Sequence, residues 1–99
     1  MPVSVYLLQS LKDSSFYVGI SDDVKRRLSE HNLGKLKITS LKRPWNLAWY
    51  KEYPDYASAR KHEKWLKKKN RKYKLYLTQL ALGGVNYRSS AESADRRLT

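Results

Sequence analysis

The sequence contains no cysteine among its 99 residues, and this absence removes several classes of chemistry together. Disulfide bonds, thiolate nucleophiles and cysteine-ligated zinc are all excluded. No apolar run approaches the roughly 20 residues of a membrane-spanning helix. The chain also opens on a β-prone segment where a secreted protein would carry a signal peptide. We therefore expect a soluble, unexported protein of the cytoplasm.

Acidic residues are scarce as well. Nine Asp and Glu face 21 Lys and Arg, which gives a formal net charge of +12. A field of this strength favours a polyanionic partner, and we favour nucleic acid over the less specific alternative, an anionic membrane surface. The length suits one domain with a modest core. We predict that domain over residues 1–82, followed by a polar, mobile tail over residues 83–99.

The first third of the chain predicts a β-hairpin that leads into a helix. Two β-prone runs, Val5–Leu8 and Phe16–Ile20, are separated by turn-forming residues. Alternation along each strand separates Tyr6 and Tyr17 from the apolar faces, so we expect one buried face and one face that carries hydroxyl groups. Gly19 leaves a gap on the tyrosine face, which predicts the close approach of a backbone or a ligand.

The predicted helix after the hairpin places two titratable or charged residues beside its apolar stripe. Ser21 or Asp22 is the predicted N-cap, and Gly34 follows the predicted end of the helix. Arg27 and His31 lie one turn apart on the face that must pack on the sheet. An arginine at the margin of a core needs an acceptor, and a semi-buried histidine needs hydrogen-bond partners. The spacing of Arg27 and His31 alone therefore fits structural roles, a paired arginine and a hydrogen-bonded histidine, as well as it fits functional roles.

The middle of the chain predicts a third strand and a second long helix. Trp45–Tyr53 is rich in large apolar and aromatic residues, and Asp55 is the predicted cap of a helix that starts at residue 56 or 57. A break near Asn70 precedes another helical pattern of leucines. These elements define an α/β (α+β) fold: a small three-stranded antiparallel or mixed sheet flanked by two to three helices.

One carboxylate on the second long helix stands in an apolar stripe. Glu63 lies between positions that should face the core, where a charge must be paired or must bind a metal. A salt bridge to Arg27 or Lys67 is the structural explanation. The functional explanation is a hard cation, Mg²⁺ or Mn²⁺, held by one carboxylate and by substrate phosphate oxygens.

Basic residues concentrate in a predicted loop over residues 33–42 and in the run from residue 60 to residue 74. Such a run is most often a solvated helix face, but the interleaved aromatic residues favour contact with phosphates. The predicted nucleic-acid-binding residues are Lys35, Lys37, Thr39, Arg43, Lys67 and Lys68.

Several of these residues form a familiar pattern. Tyr17-Val18-Gly19 closely resembles the second tripeptide that names the GIY-YIG nuclease superfamily, and Val5-Tyr6-Leu7 loosely resembles the first. Arg27, His31 and Glu63 follow at similar spacing, so the resemblance covers about two-thirds of the chain. Among its members, the chain is similar to the nuclease domain of the bacterial excision-repair nuclease, which points to DNA repair.

The resemblance implies phosphodiester hydrolysis with Tyr6, Tyr17, Arg27, His31 and Glu63 as the catalytic set. Glu63 would hold the metal ion and Arg27 the scissile phosphate. Tyr6 would activate the water, with Tyr17 and His31 positioning it. A phenol with a pKa of about 10 is a poor base at neutral pH, and surrounding positive charge could lower the pKa of Tyr6 by an amount that the sequence does not give. His31 is the alternative base, because its ordinary pKa is nearer neutrality.

The pattern departs from the family at one point, since many members carry an asparagine about three turns after the glutamate. Here that position falls near Leu75, and Asn70 comes too early. The favoured interpretation is a metal-dependent DNA endonuclease acting on single-stranded, branched or nicked DNA. The alternative is a non-catalytic basic nucleic-acid-binding protein on the same scaffold. A third option is an RNA-directed nuclease or a ribosome-associated protein, because charge does not distinguish RNA from DNA.

Overall fold

The computed structural model describes residues 1–83. Its elements in chain order are β1 (Val3–Ser10), β2 (Phe16–Ser21), α1 (Val24–Asn32), α2 (Lys37–Ser40), β3 (Trp45–Tyr53), α3 (Tyr56–Lys67) and α4 (Arg71–Gly83). The predicted α+β class is confirmed, and the sheet is antiparallel throughout. The predicted tail lies outside the described residues from residue 84 onward, and its boundary stays a prediction.

The three strands are ordered β2-β1-β3, which places the first strand at the centre. In the β1–β2 register Tyr6 lies opposite Gly19, and Leu8 lies opposite Tyr17. Residues opposite one another in an antiparallel pair point to the same face, as do alternate residues along one strand. Tyr6 and Tyr17 therefore share a face, and their ring centroids are 6.4 Å apart.

That face carries both tyrosines, as predicted, but it is buried too, so the expected contrast between one buried face and one hydroxyl-bearing face is wrong. Tyr6 is only 1% exposed and forms a core cluster with Leu8 and Trp45. Val24 and Leu28 of α1 pack against this cluster. The reason is the apolar stripe of α1, which needs a surface to bury and finds it on the tyrosine face.

The second long helix lies against the opposite face. The His62 ring of α3 contacts the rings of Trp49 and Tyr53, at 5.9 and 5.6 Å between centroids. Those two β3 residues pair with Leu7 and Val3 of β1. Because β1 alternates, Leu7 points away from the tyrosine face. The sheet is therefore sandwiched between α1 and α3.

The start of α1 differs from the prediction. Asp23 is the N-cap, and its carboxylate accepts the backbone N–H of Arg26 at 3.0 Å. The predicted caps, Ser21 and Asp22, come one or two residues too early. Ser21 still belongs to β2, and its hydroxyl accepts the Asp23 backbone N–H at 2.9 Å, which turns the chain into the cap.

The other helix boundaries follow the predictions. Asp55 caps α3 by accepting the backbone N–H of Ser58 at 2.8 Å. Residue contacts divide the chain into one unit over Met1–Lys69 and a second from Asn70 onward. The Asn70 side chain accepts the Tyr73 N–H at 3.0 Å, so the predicted break coincides with the start of α4. None of the helices in the described part of the chain has the length and apolar character needed to cross a bilayer.

The segment between α1 and β3 is more ordered than the predicted loop, because it contains the single-turn helix α2. It is also tied to the helix before it. The Asn32 side chain accepts the Trp45 backbone N–H at 2.6 Å and donates to the Trp45 carbonyl at 3.0 Å. These two hydrogen bonds hold the end of α1 against the start of β3.

Candidate active site

A buried tyrosine and a buried histidine meet at the centre of the α1 face. The Tyr6 hydroxyl lies 3.0 Å from Nε2 of His31, and Nδ1 of the same ring lies 2.7 Å from Oγ1 of Thr39. His31 has no exposed surface. The three residues come from β1, α1 and α2, so the tertiary fold assembles this chain of hydrogen bonds.

The directions of these hydrogen bonds follow from the number of protons available. The Thr39 hydroxyl donates its one proton to the Leu36 carbonyl, at 3.4 Å. Its oxygen must then accept from Nδ1–H of His31. A neutral ring with its proton on Nδ1 has an acceptor at Nε2, which takes the proton of the Tyr6 hydroxyl. The network therefore holds His31 in one neutral tautomer.

Burial keeps both groups neutral. It raises the pKa of Tyr6 to about 12, although a hydrogen bond from Arg27 acts in the opposite direction. Burial, followed by the positive charge of Arg27, lowers the pKa of His31 to about 4. Arg27 does lower the pKa of Tyr6, as expected of positive surroundings, but the cost of burying a phenolate exceeds the attraction of the guanidinium, so the net shift is upward.

Arg27 lies at the edge of this buried pair. Its Nη1 donates to Oε1 of Glu30 at 2.9 Å, and its side chain is 33% exposed. The guanidinium also lies beside the Tyr6 hydroxyl, close enough for each group to shift the pKa of the other. The acceptor expected at the core margin is thus Glu30, one turn along the same helix. The fork is oriented on two sides and keeps part of its surface open.

Gly19 explains how the Tyr6 ring reaches its position. A Cβ atom at Gly19 would overlap the hydroxyl and ring carbons of Tyr6. The predicted close approach exists, and the group that approaches is a side chain rather than a backbone or a ligand. Tyr17 lies half-buried beside it, with its ring centroid 5.0 Å from that of His31 and 6.2 Å from that of Trp45.

Glu63 is buried, at 4% exposure, and forms ion pairs with two basic side chains. Arg60 donates to Oε1 at 2.8 Å, and the Lys67 ammonium lies 3.3 Å from Oε2. Of the two ion pairs considered from the sequence, the one with Lys67 is present, while Arg27 pairs with Glu30. The negative charge of Glu63 raises the pKa of Tyr6, so the carboxylate lies within electrostatic range of the phenol.

The donor set around Glu63 suits a metal ion that needs few protein ligands. Within residues 1–83, no three His, Asp or Glu side chains come together as a ligand cluster. Zinc would require such a cluster, whereas Mg²⁺ retains several waters and commonly binds one or two carboxylates together with substrate phosphates. Each carboxylate oxygen has two lone pairs, so one remains on each oxygen beside Arg60 and Lys67. Glu63 therefore fits a magnesium-type site.

Most of the predicted nucleic-acid-binding residues lie at the surface, namely Lys35, Lys37, Arg43, Lys67 and Lys68. Thr39 is the exception, and its prediction as a surface contact is wrong. Thr39 is buried, its hydroxyl binds His31, and its carbonyl accepts the indole N–H of Trp45 at 2.9 Å.

From the sequence, Glu30 was missed as a site residue, and Thr39 was assigned a different role, that of a nucleic-acid contact. Glu30 stands three positions after Arg27, and this spacing on a helix was a readable signal for an ion pair. The role of Thr39 had no such signal, because its contact with His31 depends on how the segment after α1 folds back. Among the predicted residues, the structure brings together Tyr6, Tyr17, Arg27 and His31, with Glu63 linked to them through its charge.

The sheet, the paired tyrosines on the hairpin, the arginine and histidine on α1 and the glutamate on α3 together define a class of protein, the GIY-YIG domains. The chain belongs to this family, because the GIY-YIG catalytic domain matches residues 2–76.

Particular relatives are UPF0213 proteins. One from Streptococcus agalactiae serotype V is 36% identical over 81 residues, which are 80% of this chain and 91% of the relative. One from Listeria monocytogenes is 39% identical over 69 residues, 68% of this chain and 77% of the relative. The solution NMR structure of UPF0213 protein BH0048 from Bacillus halodurans is similar with a TM-score of 0.53 and 34% identity. That similarity covers 84% of this chain and 88% of the other.

Proposed function

We propose that the protein is a divalent-metal-dependent endonuclease that hydrolyses phosphodiester bonds in DNA, with single-stranded or structured DNA as its substrate. One observation carries the proposal. A part-exposed arginine lies beside a buried, hydrogen-bonded tyrosine–histidine pair, and a buried carboxylate acts electrostatically on the same tyrosine. Membership of the GIY-YIG family supports phosphodiester chemistry, and a connection with DNA repair belongs to the proposal.

Arg27 is proposed to hold the scissile phosphate. Its guanidinium presents five N–H donors in a planar fork, of which the ion pair with Glu30 uses one. The remaining donors match the oxygens of a phosphate. Because the fork is already oriented, it needs little rearrangement to stabilise the charge that builds on the phosphate in the transition state.

Tyr17 is proposed to contact the attacking water, while Tyr6 and His31 position the surrounding groups. A base must lie within hydrogen-bond reach of the water it orients. Tyr6 and His31 are buried, and both are held neutral by their pKa values. Tyr17 is half-buried and packs on both rings. It is thus the phenol of the pair that solvent can reach.

Glu63 is proposed to hold the metal ion. When bound, Mg²⁺ or Mn²⁺ would stabilise negative charge on the phosphate and on the leaving 3′ oxygen. Arg60 and Lys67 are about half-exposed, so their side chains can turn from the carboxylate toward the phosphates of the substrate. Lys35, Lys37 and Arg43 are proposed as further phosphate contacts.

The proposal is tested by cleavage of labelled single-stranded, branched and duplex DNA, and of RNA, with Mg²⁺ or Mn²⁺. We expect Glu63→Gln and Arg27→Ala each to lower the rate at least about 100-fold. Arg26→Ala is the matched control, because Arg26 neighbours Arg27 but is more exposed and pairs with Asp22. A wild-type protein that cuts no nucleic acid, or a Glu63→Gln variant that cuts equally well, contradicts the proposal.

The ion pairs of Glu63 with Arg60 and Lys67 favour one second candidate, a non-catalytic nucleic-acid-binding protein, because a paired carboxylate can be purely structural. This reading predicts salt-sensitive affinity for DNA or RNA without cleavage. It also predicts that Arg27→Ala changes affinity no more than Arg26→Ala does.

A further inference from the structure

A second group of aromatic side chains lies on the α3 side of the sheet, away from Tyr6. We call it the His62 cluster: Trp49, Tyr53, His62 and Trp65. His62 is at its centre, with its Nδ1 2.6 Å from the Tyr53 hydroxyl and its ring 5.9 Å from that of Trp49 and 5.4 Å from that of Trp65. The proposed catalytic chemistry uses none of these residues.

The cluster borders an open groove of about 400 Å³. Tyr53, His62 and Trp65 line it together with Ser58 and Lys61. No acidic residue is among these five lining residues. Trp65 is 46% exposed, which is a high value because tryptophan side chains are mostly buried in folded proteins. The groove therefore offers aromatic surface without negative charge.

Lysines surround this aromatic surface. The Lys69 ammonium lies 4.5 Å from the centre of the Trp65 ring, and the Lys51 ammonium lies 5.4 Å from the centre of the Tyr53 ring. Lysine side chains are long and flexible, so an ammonium group that rests on a ring can turn to a phosphate when another group takes its place on the ring.

Exposed aromatic rings flanked by cations are the combination that binds single-stranded nucleic acid, because bases stack on the rings while phosphates meet the cations. A duplex keeps its bases stacked on one another and offers such a surface only its phosphates. An acidic polypeptide would satisfy the lysines but would leave the rings unused.

We propose that the His62 cluster is a binding site for unpaired bases of a nucleic-acid strand, with Trp65 as the stacking platform and Lys51, Lys61 and Lys69 as phosphate contacts. The site lies on the opposite face of the sheet from the Tyr6–His31 pair. It deepens the proposed function by adding a preference for single-stranded segments, and its binding role does not require cleavage.

The test is equilibrium binding of fluorescently labelled single-stranded and duplex oligonucleotides by anisotropy, in EDTA, so that no metal-dependent cleavage contributes. We expect Trp65→Ala to weaken single-strand binding roughly tenfold, Trp65→Phe to restore part of the loss, and duplex binding to change little. Tyr50→Ala is the matched control, because Tyr50 is 57% exposed and points to the other face of β3. Circular dichroism establishes that each variant is folded.

Several outcomes would overturn this proposal. These are unchanged single-strand affinity in a folded Trp65→Ala variant, an equal loss with Tyr50→Ala, or an equal loss for duplex. Competition by polyglutamate as strong as competition by unlabelled single-stranded DNA would also overturn it, because charge alone would then explain binding. A wild-type protein that binds single strands through Trp65 but never cuts would support the site while contradicting the proposed endonuclease.

Discussion

The two faces of the sheet each hold a hydrogen-bonded tyrosine–histidine pair, in different environments. On the α1 face, Tyr6 and His31 are completely enclosed and a guanidinium lies beside them. On the α3 face, Tyr53 and His62 are half-buried, and Lys51 is the nearby cation. In both, burial and then a positive charge lower the pKa of the histidine. The same chemical pair thus serves as an internal framework on one face and as part of an accessible aromatic surface on the other.

The largest expected difference between the pairs is in stability. His31→Ala leaves a cavity and removes a partner from both Tyr6 and Thr39, so we expect it to lower the free energy of unfolding by about 3 kcal/mol. His62→Ala opens toward solvent, which can enter and satisfy Tyr53, and we expect a loss of about 1 kcal/mol. Denaturant unfolding monitored by circular dichroism measures both. Equal losses would show that the two pairs have equivalent environments.

The two pairs should also differ in how strongly acid lowers the free energy of unfolding. Well above pH 6.5, the ordinary pKa of histidine, His31 is neutral in both the folded and the unfolded chain and contributes no pH dependence. As the pH falls toward 4, His31 is protonated in the unfolded chain but stays mostly neutral in the folded chain, because its pKa is about 4 when folded and 6.5 when unfolded. The free energy of unfolding should therefore fall by about 3 kcal/mol over this window.

This pH dependence is measured by denaturant unfolding at a series of pH values. His31→Gln should remove the His31 contribution to this pH dependence, while His62→Gln should remove a smaller contribution of the same sign, because the pKa of His62 is also lowered. A His31→Gln protein with the full wild-type slope between pH 6.5 and 4 would assign the effect to other groups.

Gly19→Ala should disturb one pair and spare the other. The new methyl group overlaps the Tyr6 hydroxyl, and moving that ring should cost about 2 kcal/mol. Cleavage should fall because Tyr6 leaves its partners, while the NMR signals of His62 should stay unchanged. Gly34→Ala is a control for stability and for the position of Tyr6 only: its φ of +78° is unfavourable for alanine, and its methyl group would push aside the Arg43 guanidinium, so it should cost about 1 kcal/mol without moving Tyr6. If the His31 ring signals also stay in place in Gly19→Ala, the overlap has been relieved elsewhere.

The smallest expected effect concerns the helices that carry the two histidines. Asp23→Ala and Asp55→Ala each remove one N-cap hydrogen bond, so thermal unfolding should shift slightly downward in both variants. Asn at either position keeps an acceptor oxygen and should restore most of the midpoint. Cleavage should respond more to Asp23→Ala, because α1 carries two of the proposed catalytic residues, Arg27 and His31, whereas α3 carries one, Glu63. A larger response to Asp55→Ala would place α3 at the centre of catalysis.

The strands and the long helices could be predicted from the sequence because their signals are local. Trp45–Tyr53 is a strand with the predicted limits, and Asp55 caps its helix as expected. The sequence did not show which residue caps α1, because Ser21, Asp22 and Asp23 are all residue types that suit an N-cap. Geometry decides, because Ser21 is still paired with Ser4 in the sheet.

The sequence predicted the candidate site less well wherever the property of a residue, such as its pKa, depends on how deeply the residue is buried. The sequence shows a phenol near several cations, and only the fold shows that α1 covers it, which reverses the direction of its pKa shift. Burial also removes Thr39 from the surface. Arg27 and His31 were recognisable by their one-turn spacing, whereas the enclosure of His31 depends on residues eight or more positions away.

The pair of hydrogen bonds between Asn32 and Trp45 has a consequence for local opening of the protein. The end of α1 would ordinarily fray, and exchange of its amides would reveal that fraying. Here the last helical residue, Asn32, is hydrogen-bonded to Trp45, the first residue of β3. The Trp45 indole N–H also donates to the carbonyl of Thr39, the residue whose hydroxyl binds His31. Exposure of His31 to solvent therefore requires these hydrogen bonds to break, so that the end of α1 and the Thr39 segment separate from the start of β3. We expect amide protection at the end of α1 to equal that of the sheet, so that the histidine becomes accessible only when the first unit of the chain unfolds as a whole.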